Sequence, residues 1–167
     1  MPGEAENIMK TKGNRQVSVV GSSAPDFPAI ALATEVGRSI ASAGAVLICG
    51  GLGGIMEAAA RGAKERGGLT VGIVPSYQKE TANPYIDVVI VSGLGHARNV
   101  LVAASGDLLV ALPGSHGTLS EVSVALKLGK PVFGMTAWGE IRGVRLLKLV
   151  EDLHKELCLF FEHSVTD

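Results

Sequence analysis

The chain has few of the features that commit a protein to a specialised class. It has only two cysteines, Cys49 and Cys158, too few for a disulfide framework and suited to a reducing cytosol. No apolar run approaches the roughly 18 residues that a membrane span requires, and the longest runs have strand length. Charge is nearly balanced, with a formal net of −1, and no Lys/Arg block forms a local patch. Neither nucleic acid nor an anionic membrane is therefore expected as a partner. Residues 1–14 lack the apolar core of a signal peptide and the Arg-rich, acid-poor character of a transit peptide, and they are expected to form a loose arm. A cytoplasmic location is expected.

What is present is apolar and glycine-rich. In 167 residues, 47% are hydrophobic, 19% are charged and 22 are glycine, enough apolar material for one domain. That domain is expected over residues 15–161, with a tail at 162–167. Short Val/Ile/Leu-rich runs predict strands at 16–20, 45–49, 69–74, 86–91, 107–112 and 130–134. Helical patterns fall between most of them, at 27–43, 54–66, 96–105 and 118–128, and a final helix is predicted over 140–157. Strands apolar on both faces that alternate with helices imply an α/β fold: a Rossmann-like, doubly wound parallel sheet with helices on both faces.

Two passages run from a strand through a glycine turn into a helix. They are Leu109–Glu121, containing Pro113, Gly114, Ser115, His116, Gly117 and Thr118, and Val46–Glu57, containing Gly50, Gly51, Gly53 and Gly54. The first N–H groups of a helix have no intrahelical partner and the helix dipole is positive there, so each passage suits a phosphate. Together with Gly21 and Ser22 after the first strand, these turns are expected on one rim, at the carboxyl ends of the strands.

Known nucleotide motifs are absent. Gly-Ser-Ser-Ala-Pro follows the first strand where NAD or FAD binding needs G-x-G-x-x-G, and no acid closes 69–74. A P-loop is equally unsupported. Ser115 beside His116 is no nucleophilic pair, because neighbours point apart and no G-x-S-x-G elbow surrounds them. The plainer assignment makes Ser115 a hydrogen-bond donor and His116 a pocket wall. His154 and Cys158, four apart on a helix, have no third ligand nearby in sequence and are assigned to an amphipathic face. Glu121 has two readings of equal weight: half of a capping box with Thr118, or a carboxylate beside the phosphate that acts on a sugar. Arg98 opens a helix on the same rim, where a guanidinium would clamp a phosphate or carboxylate. Glu57 shares Glu121's ambiguity on weaker grounds.

The segments P-G-S-H-G-T-L-S-E (Pro113–Glu121), G-G-L-G-G-I-M-E (Gly50–Glu57) and G-L-G-H-A-R-N (Gly93–Asn99) resemble the LOG-like superfamily, long labelled "lysine decarboxylase-like". The resemblance covers about residues 15 to 150. It implies a Rossmann-like fold, homo-oligomers (dimers or tetramers) and a phosphate-containing ligand. It does not imply decarboxylation, and nothing resembles a pyridoxal-phosphate lysine site. In one branch, the LONELY GUY enzymes hydrolyse the N-glycosidic bond of a nucleoside 5′-monophosphate. That branch would make Arg98 and Glu121 catalytic and Gly114, Ser115, Gly117 and Thr118 the phosphate cradle. The other branch contains molybdenum cofactor carrier proteins, which cradle the phosphate of a molybdopterin cargo and break no bond. Arg98-Asn99 replaces the enzymes' Arg-Lys, and Ser115 replaces the second glycine of P-G-G. The short chain and the phrase G-L-G-x-A-R-N, followed by A-L-K-x-x-K-P-V, look closer to the carrier branch than to the enzymes. A nucleotide sensor without turnover is the third alternative.

Overall fold

A computed structural model describes residues 15–163. The expected 1–14 arm and the last four residues of the expected tail lie outside that range. Seven strands form one wholly parallel sheet in the order β4-β3-β2-β1-β5-β6-β7. They are β1 (Gln16–Val20), β2 (Val46–Cys49), β3 (Thr70–Val74), β4 (Val88–Val91), β5 (Leu108–Ala111), β6 (Val132–Met135) and β7 (Val144–Leu147). The helices are α1 (Phe27–Ser42), α2 (Ile55–Glu65), α3 (Arg98–Ser105), α4 (His116–Lys127) and α5 (Val150–His163). This is the doubly wound fold that the alternating pattern predicts.

Burial explains the arrangement. The central strands β1 and β5 are buried almost throughout, so both faces must be covered. On one face Ile40 of α1, Ile55 of α2 and Leu153 and Leu157 of α5 join Val17, Leu47 and Leu108 in one core. On the other, Val102 of α3 and Val122 and Ala125 of α4 pack with Val20, Ile48 and Leu109. The chain runs outward from β1 to β4, then returns to place β5 on the other side of β1. Strand order therefore reverses between β1 and β5, and a crevice opens beyond their carboxyl ends.

Two expectations are corrected. The final helix does not run over 140–157: Val144–Leu147 pairs with β6 as β7, and α5 begins only at Val150 and continues to His163. The spacing of Ile141, Val144 and Leu147 satisfies a helix, but Gly143 takes φ +99° and turns the chain onto the open edge of β6, where Leu147 is buried. Nor is every strand covered on both faces, since Val88 and Ile90 of edge strand β4 are each 45% exposed.

Candidate functional site

Beyond β1 and β5 the turns are knitted together by backbone hydrogen bonds. The Ser22 N–H donates to the Pro113 carbonyl and the Ile55 N–H donates to the Ser22 carbonyl, both at 2.9 Å. Gly54, at φ +69°, makes this possible: a Cβ there would lie 2.6 Å from the Ser23 carbonyl. Asn83, which nothing in the sequence marks out, braces the same loop by donating from Nδ2 to the Leu52 carbonyl at 2.8 Å and from its N–H to the Gly51 carbonyl at 2.8 Å.

The N-termini of α1, α2 and α4, which start on or near this rim, differ. That of α1 is closed by its own residue, with Asp26 Oδ1 accepting from the Ala29 N–H at 2.9 Å. Those of α2 and α4, capped by Gly54 and Ser115, have no side-chain cap. Among the described residues, the N–H groups of His116, Gly117 and Thr118 have no hydrogen-bond partner. They are free donors at a helix N-terminus. The predicted capping box between Thr118 and Glu121 does not form: Ser115 takes the cap position, so Glu121 lies well inside the helix and its side chain turns into the crevice wall.

A cavity of about 300 Å³ occupies the crevice. Of the residues predicted from sequence, Gly21, Ser22, Gly50, Arg98, Ser115, Gly117, Thr118 and Glu121 line it. Gly51, Gly53, Gly54, Pro113, Gly114 and His116 do not. Gly51 and Gly54 shape the loop behind it, and His116 is exposed at the first position of α4, so its expected role as a pocket wall is not met. Leu52, Met56, His96 and Asn99 line the cavity without having been expected to do so. His96 falls on the single turn before α3, a position whose direction depends on how α3 docks.

The chemistry concentrates on a buried ion pair. Arg98 Nη1 lies 3.7 Å from Glu121 Oε1, with side chains 9% and 8% exposed. Burial pushes the Glu121 carboxyl up to about 7, with the Arg98 charge opposing that rise. Burial lowers the Arg98 guanidinium, with Glu121 holding it back. Arg98 Nε, fully buried, has no hydrogen-bond partner, an exception that calls for an acceptor. Gly50 creates the room for this arginine, since a Cβ there would sit 2.6 Å from the guanidinium carbon. Beneath the pair the Cys49 thiol is pushed up to about 11 by burial, which keeps it protonated and unreactive. A relay then joins the arginine to the first turn of α4. Arg98 Nη1 donates to Asn99 Oδ1 at 2.9 Å, Asn99 Nδ2 donates to Ser120 Oγ at 3.3 Å, and Ser120 Oγ donates to the Gly117 carbonyl at 2.6 Å.

Outside the crevice, His154 and Cys158 do face each other, with Sγ to Nε2 at 3.6 Å, and the other ring nitrogen lies 3.4 Å from Ser39 Oγ. That places both on the face of α5 that meets α1.

The fold and crevice define a Rossmann-like protein with uncapped helix N-termini and a buried Arg–Glu pair at the switch point. More narrowly, the chain belongs to the SLOG cluster4 family, whose model matches residues 14–163, within the LOG-like superfamily. An uncharacterized protein of Archaeoglobus fulgidus is 43% identical over 82% of this chain and 90% of its own length. The cytokinin riboside 5′-monophosphate phosphoribohydrolase of Mycobacterium tuberculosis is 36% identical over 68% of this chain and 66% of the enzyme. Among solved structures, the molybdenum cofactor binding protein of Rippkaea orientalis is 33% identical with a TM-score of 0.78, covering 92% of this chain and 98% of that one. The molybdenum cofactor carrier protein of Chlamydomonas reinhardtii is 31% identical with a TM-score of 0.79, covering 87% and 99%. DNA processing protein A of Helicobacter pylori, described for its single-stranded DNA binding, is 19% identical with a TM-score of 0.71, a likeness of fold alone.

Proposed function

We propose that the protein is a carrier for a phosphate-bearing small molecule, and that its cargo is the molybdenum cofactor, a molybdopterin. The observation that carries this reading is the uncapped N-terminus of α4 in a cavity whose wall also holds a buried arginine with an unpartnered Nε. In this reading the phosphate lies on the N–H groups of His116, Gly117 and Thr118, with Gly114 and Ser115 shaping the approach. Gly21, Ser22, Gly50, Gly51, Gly53, Gly54 and Pro113 form the surrounding loops. The end-to-end likeness to cofactor-binding and carrier proteins supports the cargo assignment. A carrier has to hold and release, so a helix terminus that binds without making a covalent bond is sufficient. No NAD, pyridoxal phosphate or nucleic acid enters this reading, and a single-stranded DNA binding assay checks the last point. A homo-oligomer is part of the proposal, supported by exposed Val88, Ile90, Val100 and Leu101 on β4 and α3 and checked by light scattering.

One observation favours a second reading, hydrolysis of a nucleoside 5′-monophosphate. Glu121, held near neutrality, is poised to exchange a proton at the ribose, and Arg98 at 3.7 Å is placed to stabilise developing negative charge. The two readings part in one experiment. The protein is incubated with AMP, with a prenylated AMP and with the molybdenum cofactor, and both ribose 5-phosphate release and ligand retention are measured. Cofactor retained without ribose 5-phosphate release supports the carrier. Release that disappears in Glu121→Ala establishes the hydrolase instead.

A further inference from the structure

A second cavity of about 270 Å³ adjoins the first, and Ser22 and Ser115 lie on the walls of both. Its remaining surface is formed chiefly by Ala24, Pro25, Asp26 and Pro113. The two cavities therefore share a wall at Ser22 and at the Ser115 cap of α4, where the proposed cradle lies. A terminal phosphate on that cradle would have its substituent in the first cavity and nothing in the second. A phosphate substituted on both sides would fill both.

The walls say what the second part would be. The nearby N-terminus of α1 is closed by Asp26 Oδ1, so it offers no anion site. The Asp26 carboxylate is exposed and adds negative charge, which disfavours another terminal phosphate there. Small and proline side chains give flat apolar contact, while the carboxylate and the serine hydroxyls accept and donate hydrogen bonds. This combination suits a compact, uncharged, hydroxyl-bearing group such as a sugar.

We infer that the site is bipartite and takes ligands in which the cradled phosphate, or a diphosphate, is internal: a bridge between a ring system in the first cavity and a hydroxyl-rich group in the second. The inference rests on the cradle reading above. For a pterin cargo it selects the form esterified through its phosphate to a second polar group.

Calorimetry with AMP and ADP-ribose tests this, because ADP-ribose extends AMP through a diphosphate to a second ribose. ADP-ribose is expected to bind about tenfold more tightly, the equivalent of one or two added hydrogen bonds. Ala24→Trp, at an exposed position, fills the second cavity; it should abolish that advantage and leave AMP affinity unchanged. If AMP binds, depends on Gly117 and is matched by ADP-ribose in the unmodified protein, the bipartite site is refuted while the cradle stands. If binding of both ligands is indifferent to Gly117→Asp, the cradle fails and the inference fails with it.

Discussion

Gly117→Asp sets stability against binding, and the structure supplies both signs. Gly117 occupies the second position of α4 with no positive φ, and an added Cβ would meet only Asn99 Nδ2, at 3.9 Å. The substitution therefore has room. An acid in the first turn of a helix and the removal of a helical glycine each stabilise, together by about 0.5–1 kcal/mol. In a domain of this size that holds or raises Tm by about 2 °C. The same carboxylate would stand beside the proposed phosphate. Two unit charges about 4 Å apart at an effective dielectric of about 20 repel by about 4 kcal/mol, roughly a thousandfold in affinity. Scanning fluorimetry and calorimetry with AMP read the two effects separately. A variant that is at least as stable and has lost binding supports the cradle. Unchanged AMP affinity in the folded variant would refute it, and a large fall in Tm would show that the glycine is required for packing.

Glu121→Gln tests the buried carboxyl. Its folded-state value near 7 exceeds the ordinary 4.5, so the native state binds the proton more tightly than the unfolded chain. The contribution is present below about 4.5 and is lost as pH rises through 7. The variant should gain stability relative to the parent by roughly 3 kcal/mol between those limits; chemical denaturation across that range measures it, and a flat difference contradicts the burial argument. Gly50→Ala drives a methyl into the Arg98 guanidinium and is expected to lower stability by about 1–3 kcal/mol and to abolish AMP binding, both read in the same two assays. At the sheet edge, Asp87 accepts from Lys64 Nζ at 2.7 Å and from the Thr70 N–H at 3.0 Å, joining α2 and β3 to the start of β4. Asp87→Ala should lower stability by about 1–3 kcal/mol in urea melts without altering ligand affinity.

Short apolar strands alternating with amphipathic helices leave few alternatives to a covered parallel sheet, because both faces of each inner strand need partners. The glycine turns were legible for a related reason: a turn that must pass tightly from a strand into a helix restricts which residues it can use. Errors arose where two periodicities coincide. Val144 and Leu147 fit a helix face equally well, and only the unpaired edge of β6 made them a strand. Thr118 and Glu121 have capping-box spacing, yet the cap falls three residues earlier at Ser115, since the docking of α4 on the sheet sets where its first turn begins.

The sequence by itself determined the fold class, the position of the glycine turns and the nomination of Arg98, because these depend on local pattern and strand order. Tertiary structure alone decided that Arg98 meets Glu121, two residues on different helices brought together by the return of the chain to β5. It also decided that burial holds the carboxyl near 7, that Asn99 links the arginine to the first turn of α4, and that His96 rather than His116 reaches the cavity. Distance, burial and side-chain direction across the crevice depend on how helices dock, and no spacing along one chain records that.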